Sequence, residues 1–124
     1  MICLDTSSLI AFLEGGTGGD VETVDKALQD QTGAIAPVTL AELLSDPELP
    51  RTLRETILNL PVLPVTEGYW ERAGLLRAKV LRTGHKAKLA DTLIVQSCLD
   101  YRIALVTRDK DFRIFHRFSG LKLL

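Results

Sequence analysis

Cysteine is scarce in this chain, and the little present does not pair by spacing. There are two, Cys3 and Cys98, far apart and each among apolar neighbours, which excludes a disulfide-stapled scaffold and a cage of clustered thiolates. Reduced core thiols are expected, because a Cys3–Cys98 bridge would belong to a secreted setting that nothing else supports. Histidine is equally sparse, with two residues and no zinc spacing between them. No apolar run approaches the roughly 20 residues that a bilayer requires. The opening Met1-Ile2-Cys3-Leu4-Asp5 has neither the basic start nor the apolar stretch of a leader. A soluble, cytoplasmic protein without membrane association is therefore expected. Aromatics are few, with Tyr69, Trp70, Tyr101 and Phe112 the candidates near the basic half, so recognition of bases by stacking has little support. Repeats and linkers are missing too, and the one low-complexity tract, Gly15-Gly16-Thr17-Gly18-Gly19, reads as a single flexible loop.

What remains is an ordinary globular composition: 124 residues, 46% hydrophobic and 25% charged, enough for one domain around one core. The net charge of −1 conceals a division. Residues 1–66 hold 3 Lys/Arg against 10 Asp/Glu, or −7, and residues 67–124 hold 12 against 6, or +6. The second half thus carries whatever positive surface faces a polyanion, although a solvated helix face explains the same bias. Short runs rich in β-formers at 2–4, 34–36, 62–65 and 103–107 read as buried strands, with 121–124 a possible edge strand. Between them the spacing predicts helices. The clearest spans 68–83, with Trp70, Ala73, Leu76 and Val80 on one stripe and Gly84 as a stop, and the next spans 87–101. Weaker patterns fit 7–14, 21–31, 40–45 and 51–59. Strands alternating with helices predict an α/β domain over residues 1–124, three-layer α/β/α, with a mostly parallel central sheet of four or five strands. In such folds ligands collect beyond the carboxyl ends of the strands.

Four acids fall where that rule points. Asp5 closes the first strand, with Thr6-Ser7-Ser8 behind it, a cluster that also suits a helix cap. Glu42 stands three residues after Thr39, which is capping-box spacing, yet its neighbours Val38, Leu40, Ala41, Leu43 and Leu44 are apolar, and a carboxylate among them is costly without a partner. The two readings of Glu42 stand even. Asp91 shares a helical stripe with Ala87, Ile94, Val95 and Cys98, so an acid interrupts an apolar face. Asp109 follows the strand at 103–107 in a polar segment that would also serve as a turn.

If these carboxylates converge, they cannot all stay ionised without a cation. Oxygen-only ligands select a hard ion, Mg²⁺ or Mn²⁺, and such an ion acidifies water and steadies the leaving oxygen of a phosphodiester. Cationic side chains stand close by in sequence. Arg82, His85, Lys86 and Lys88 precede Asp91, and Arg108, Lys110 and Arg113 surround Asp109. They are candidates to grip a phosphate backbone, and each is also ordinary surface charge.

The segments Ile2-Cys3-Leu4-Asp5-Thr6-Ser7-Ser8-Leu9-Ile10, Thr39-Leu40-Ala41-Glu42-Leu43, Leu89-Ala90-Asp91-Thr92-Leu93-Ile94 and Leu105-Val106-Thr107-Arg108-Asp109-Lys110-Asp111-Phe112 together resemble the ordered motifs of PIN domains, most closely the VapC-type toxins of bacterial toxin–antitoxin pairs. The resemblance spans essentially the whole chain. It implies a PIN-like fold and a Mg²⁺- or Mn²⁺-dependent ribonuclease, usually a homodimer, inhibited by a small antitoxin that inserts a segment into the active site. Carried over by motif, Asp5, Glu42, Asp91 and Asp109 form the catalytic, metal-binding quartet, with Asp5 and Asp91 as main ligands. Thr6 or Ser7, and Thr107, support it by hydrogen bonding. The resemblance leaves open whether Asp109 or Asp111 faces the metal.

Two readings from other classes compete. A phospho-accepting signalling domain also gathers carboxylates and Mg²⁺, but needs adjacent acids after the first strand and a lysine after a late one. Here a lone Asp5 meets Thr6, and Thr107-Arg108-Asp109 replaces the lysine. The haloacid dehalogenase pattern fails similarly, with Ser7 where its second Asp belongs. A catalytically silent PIN-like binding module is the other alternative, against which stands the cost of keeping unpaired acids.

Overall fold

In the computed structural model, which describes residues 1–124, the chain runs β1 (Ile2–Leu4), α1 (Thr6–Leu13), α2 (Gly19–Gln29), β2 (Gly33–Ala34), α3 (Pro37–Leu44), α4 (Arg51–Leu58), α5 (Tyr69–Arg82), α6 (Leu89–Tyr101), β3 (Ala104–Val106), a 3-10 turn (Lys110–Phe112) and α7 (Arg113–Ser119). The strands form one parallel sheet in the order β2-β1-β3, with Cys3 opposite both Ala34 and Leu105, and Leu4 opposite Val106. Successive side chains on a strand face opposite ways. Cys3, Ala34 and Leu105 accordingly enter a core with Leu76, Val80, Ile94, Val95, Phe112 and Phe115, while Leu4 and Val106 enter a second core with Leu9, Val24, Leu43 and Ile57. The first core is roofed by α5, α6 and α7, the second by α1 to α4. Both faces of the sheet are therefore apolar, which is why the strands read as short continuous apolar runs rather than alternating ones.

The sheet has three strands rather than four or five. The expected strands at 62–65 and 121–124 each contribute one isolated parallel bridge, Ile35 with Val62 and Leu105 with Leu123. At the first, Ile35 N donates to Pro61 O at 2.9 Å and Leu63 N to Ile35 O at 2.9 Å. Pro61 and Pro64 bracket this stretch, and neither has an N–H to extend the ladder. At the second, Leu105 N donates to Lys122 O at 2.8 Å and Leu124 N to Leu105 O at 3.0 Å, and pairing goes no further.

Two other expectations change. The buried stripe of α5 is headed by Tyr69, 3% exposed, and Trp70 is 63% exposed. Tyr69 spends its hydroxyl on Leu93 O at 2.7 Å, the kind of partner a buried tyrosine needs. Helix α7 was not indicated by periodicity, since seven residues give two turns at most. It is held by Phe115 in the core and by Gly120, which ends it at φ 77°. Helix α6 is buried from Thr92 through Cys98, lying between α5 and α3, and this central position carries Asp91 to the edge of the sheet. No helix is long and apolar enough to cross a membrane.

Candidate metal centre

Parallel strands deliver their carboxyl ends to one edge, and the site is built there. Asp5 N donates the last sheet hydrogen bond, to Val106 O at 2.9 Å. The side chain then caps α1 and is 4% exposed. Its Oδ2 accepts from Ser7 Oγ at 2.6 Å, Thr107 Oγ1 at 2.7 Å and Ser7 N at 3.4 Å. Oδ1 accepts none of these, so one carboxylate both caps a helix and keeps an oxygen free.

Thr107, one residue past β3, also receives Asp109 N on its hydroxyl at 3.0 Å. Asp109 caps the 3-10 turn, its Oδ1 accepting from Asp111 N at 2.9 Å. Across from it stands Asp91, the third residue of α6. A carboxylate oxygen from each of Asp91, Asp109 and Asp111 lies within 4.8 Å of the other two. Between Asp109 and Asp111, therefore, the structure does not make an exclusive choice. Asp109 is half-buried, while Asp111 is exposed with Lys88 Nζ 3.7 Å from its Oδ2.

Glu42 stands apart from that trio, and the reasoning from its apolar neighbours does not hold. The residue is exposed, because on a helix Leu43 turns inward while Ala41 and Leu44 face solvent with it. The capping box is not formed either. Helix α3 starts earlier than expected, with Pro37 in its first turn and Ala36 as the cap. Glu42 thus falls in the second turn, and Thr39 is buried with Oγ1 unpartnered. Glu42 is instead joined to Thr6, the residue after Asp5, whose hydroxyl donates to Oε1 at 3.0 Å.

Of the expected cations, His85, Lys86 and Lys88 line a cleft of about 420 Å³ with Asp91 and Asp111, joined by Lys110 and Arg113. Arg82, in the last turn of α5, does not line it. Arg108 is directed elsewhere, its guanidinium pairing with Asp20 at 2.8 Å. Asp20 and Ser8, which hydrogen-bonds it at 2.8 Å, were not indicated by sequence, where each is one polar residue in a loop or first turn.

A PIN domain profile matches residues 2–117. The chain belongs to the PIN domain family. Among curated protein sequences none matches this PIN domain. Its fold is similar to that of solved toxin–antitoxin complexes: VapBC2 from Rickettsia felis bound to a promoter DNA fragment (TM-score 0.73, 20% identity, covering 100% of this chain and 98% of that one); VapBC-1 from nontypeable Haemophilus influenzae (0.76, 20%, 100% and 97%); and VapBC-5 from Mycobacterium tuberculosis (0.68, 22%, 99% and 96%).

Electrostatics of this PIN domain fit a bound cation. Asp91 is pushed up to about 6, first by burial, then by the fields of Asp109, Asp5 and Asp111, against which Lys88 works. Oxygen donors alone, crowded and partly desolvated, suit a hard divalent ion, with Asp91, Asp109, Asp111 and Asp5 as the residues that would hold it.

A consequence follows for the metal-free protein. An acid whose folded pKa lies above its unfolded value of 3.8 gives up stability as pH rises, because the folded state holds the proton that the unfolded state releases. The loss runs from about pH 4 and is complete above about pH 6. Asp91→Asn in chelator should therefore be more stable than the native chain by about 1–2 kcal/mol at pH 8, allowing for partial exposure of the group. Urea denaturation should show that difference vanish by about pH 4, and equal stability at both pH values would contradict the crowding.

Proposed function

We propose that this PIN domain is a Mg²⁺- or Mn²⁺-dependent endoribonuclease and the toxin of a toxin–antitoxin pair. The observation that carries the reading is the meeting of Asp91, Asp109 and Asp111, within the field of Asp5, at the mouth of a cationic cleft. The ion, when bound, supplies charge for the phosphate and acidity for the attacking water.

The chain's own residues do the rest. Asp5 and Asp91 hold the centre from the end of β1 and the start of α6. Asp109, with Asp111 beside it, completes the donor set, and Glu42 sits at the rim through Thr6, placed to act through water. Ser7 and Thr107 fix Asp5 by donating to one oxygen only, which leaves the other free to take up a cation. His85, Lys86, Lys88, Lys110 and Arg113 grip the backbone on one side, and a phosphate drawn there presents its neighbour to the acids. RNA rather than DNA as substrate is the expectation of the family. A phospho-accepting role is disfavoured, since Asp5 is buried with hydroxyls rather than a lysine around it.

Cleavage of single-stranded and structured RNA, with DNA as control, tests this. Asp5→Asn keeps an oxygen to accept from Ser7 and Thr107, so it should stay folded, and its cleavage in Mg²⁺ should fall at least a hundredfold, in line with losing an interaction made to the reacting centre. Full activity in that variant would sink the assignment.

For the partner, a groove between α1, α3 and α4 is floored by Leu13, Leu43, Leu53 and Ile57 and rimmed by Glu14, Glu42 and Asp46, which suits an amphipathic segment with basic edges. A homodimer is proposed as well, through the exposed Trp70, Leu75 and Leu81 of α5. Sedimentation of the chain with a co-expressed small antitoxin should give a dimer carrying bound partner. Leu53→Glu should release the partner and keep the dimer, and partner retention by that variant would move the docking surface elsewhere.

A further inference from the structure

Arg108 lies between the two residues that organise the acidic edge, Thr107 and Asp109, yet its own side chain leaves that edge. Nε donates to Asp20 Oδ2 at 2.8 Å, and Nη2 donates to Asp20 Oδ1 at 3.0 Å and to Thr17 O at 3.0 Å. A fork matched to a carboxylate in this way fixes orientation as well as distance. Asp20 sits in the first turn of α2, where a helix favours negative charge. Its Oδ2 also takes Ser8 Oγ at 2.8 Å. Asp20 is therefore a junction of three segments: the start of α1, the start of α2 and the turn after β3.

Consecutive serines bind the two ends of this assembly. Ser7 Oγ donates to Asp5 Oδ2, lies 3.2 Å from Thr107 Oγ1 and accepts from Arg108 N at 3.3 Å. Ser8 faces the other way, to Asp20. The turn at 107–109 is thus gripped from inside by Asp5 and Ser7 and from outside by Asp20. Gly18 shows how closely the outer grip is fitted. It lies at φ 136°, and a Cβ there would stand 2.8 Å from Asp20 Oδ1 and 3.3 Å from Arg108 Nη2. The Gly-rich tract, which reads as a flexible loop in sequence, is at this position shaped around the pair.

We propose that the Arg108–Asp20 pair is a positioning device for the metal centre, holding the turn after β3 against the starts of α1 and α2 so that Thr107 and Asp109 meet Asp5 and Asp91. The pair supplies no ligand. It acts as outer hydrogen bonds to metal ligands generally do, by fixing the orientation of the residues that bind. The inference rests on the metal-centre reading above, and the test separates the two.

Three variants, Arg108→Ala, Asp20→Ala and their double, are compared with Asp5→Asn by Mn²⁺ titration and by NMR amide exchange well below the melting temperature. Each single variant should bind Mn²⁺ roughly tenfold to a hundredfold more weakly, and the double no more weakly than either single, because both remove one coupled pair. Arg108→Lys, which keeps the charge but not the fork, should fall between. Without metal, exchange should quicken at the amides of Arg108 and Asp109 while those of β1 keep their native rates, a pattern that general destabilisation would not give. Native Mn²⁺ affinity in both single variants, with Asp5→Asn defective, would overturn the positioning role and leave the metal centre standing. Native affinity in Asp5→Asn would overturn the metal centre itself, and unchanged exchange at Arg108 and Asp109 would overturn the positioning role in either case.

Discussion

The hydrogen bond from Thr107 Oγ1 to Asp5 Oδ2, 2.7 Å long, is the contact on which the site depends. Two neighbouring parallel strands end side by side, and each leaves the sheet carrying a polar residue. Joining those residues turns a property of the topology, shared carboxyl ends, into a fixed spacing between side chains. Asp5 is buried, and burying a carboxylate is costly unless donors meet it. Ser7 and Thr107 supply them at one oxygen and so decide which oxygen remains. Thr107 in turn orients Asp109 by accepting its backbone N–H, and Asp109 orients Asp111. A chain of single hydrogen bonds thus runs from the first strand to the end of the acidic cluster, and Asp91 arrives opposite on the buried helix α6.

Much of the fold was legible because the signals were local. Apolar runs bounded by turns marked the three strands, and the spacing of Ala73, Leu76 and Val80 marked α5. The failures have physical causes. Pro61 and Pro64 reduce an apparent strand to one bridge, since β-propensity says nothing about missing donors. Trp70 and Tyr69 are adjacent, and a one-residue shift on a helix exchanges an inward for an outward side chain. The site shows the same division. Asp91 could be singled out because an acid in an apolar stripe has few structural uses. Glu42 was weighed by its sequence neighbours, but two of those five, Ala41 and Leu44, face solvent. Asp109 and Asp111 could not be separated because the 3-10 turn that brings both to one cluster leaves no periodic trace. Arg108 looked like its neighbours Lys110 and Arg113, and only its partner across 88 residues distinguishes it.

The uneven charge of the two halves becomes a division of surface. The basic half lends His85, Lys86, Lys88, Lys110 and Arg113 to the cleft, and the acidic half lends Glu14, Glu42 and Asp46 to an apolar groove. Glu42 belongs to that groove and accepts from Thr6, the residue after Asp5.

The central claim is that a divalent ion is held by these carboxylates, and anomalous scattering from crystals grown with Mn²⁺ tests it most directly. The account predicts a manganese peak within bonding distance of Asp91 and of Asp109 or Asp111, with Asp5 Oδ1 bound directly or through water. A chain that diffracts with manganese only at other acidic surfaces, or with none at this edge at saturating concentration, would contradict it.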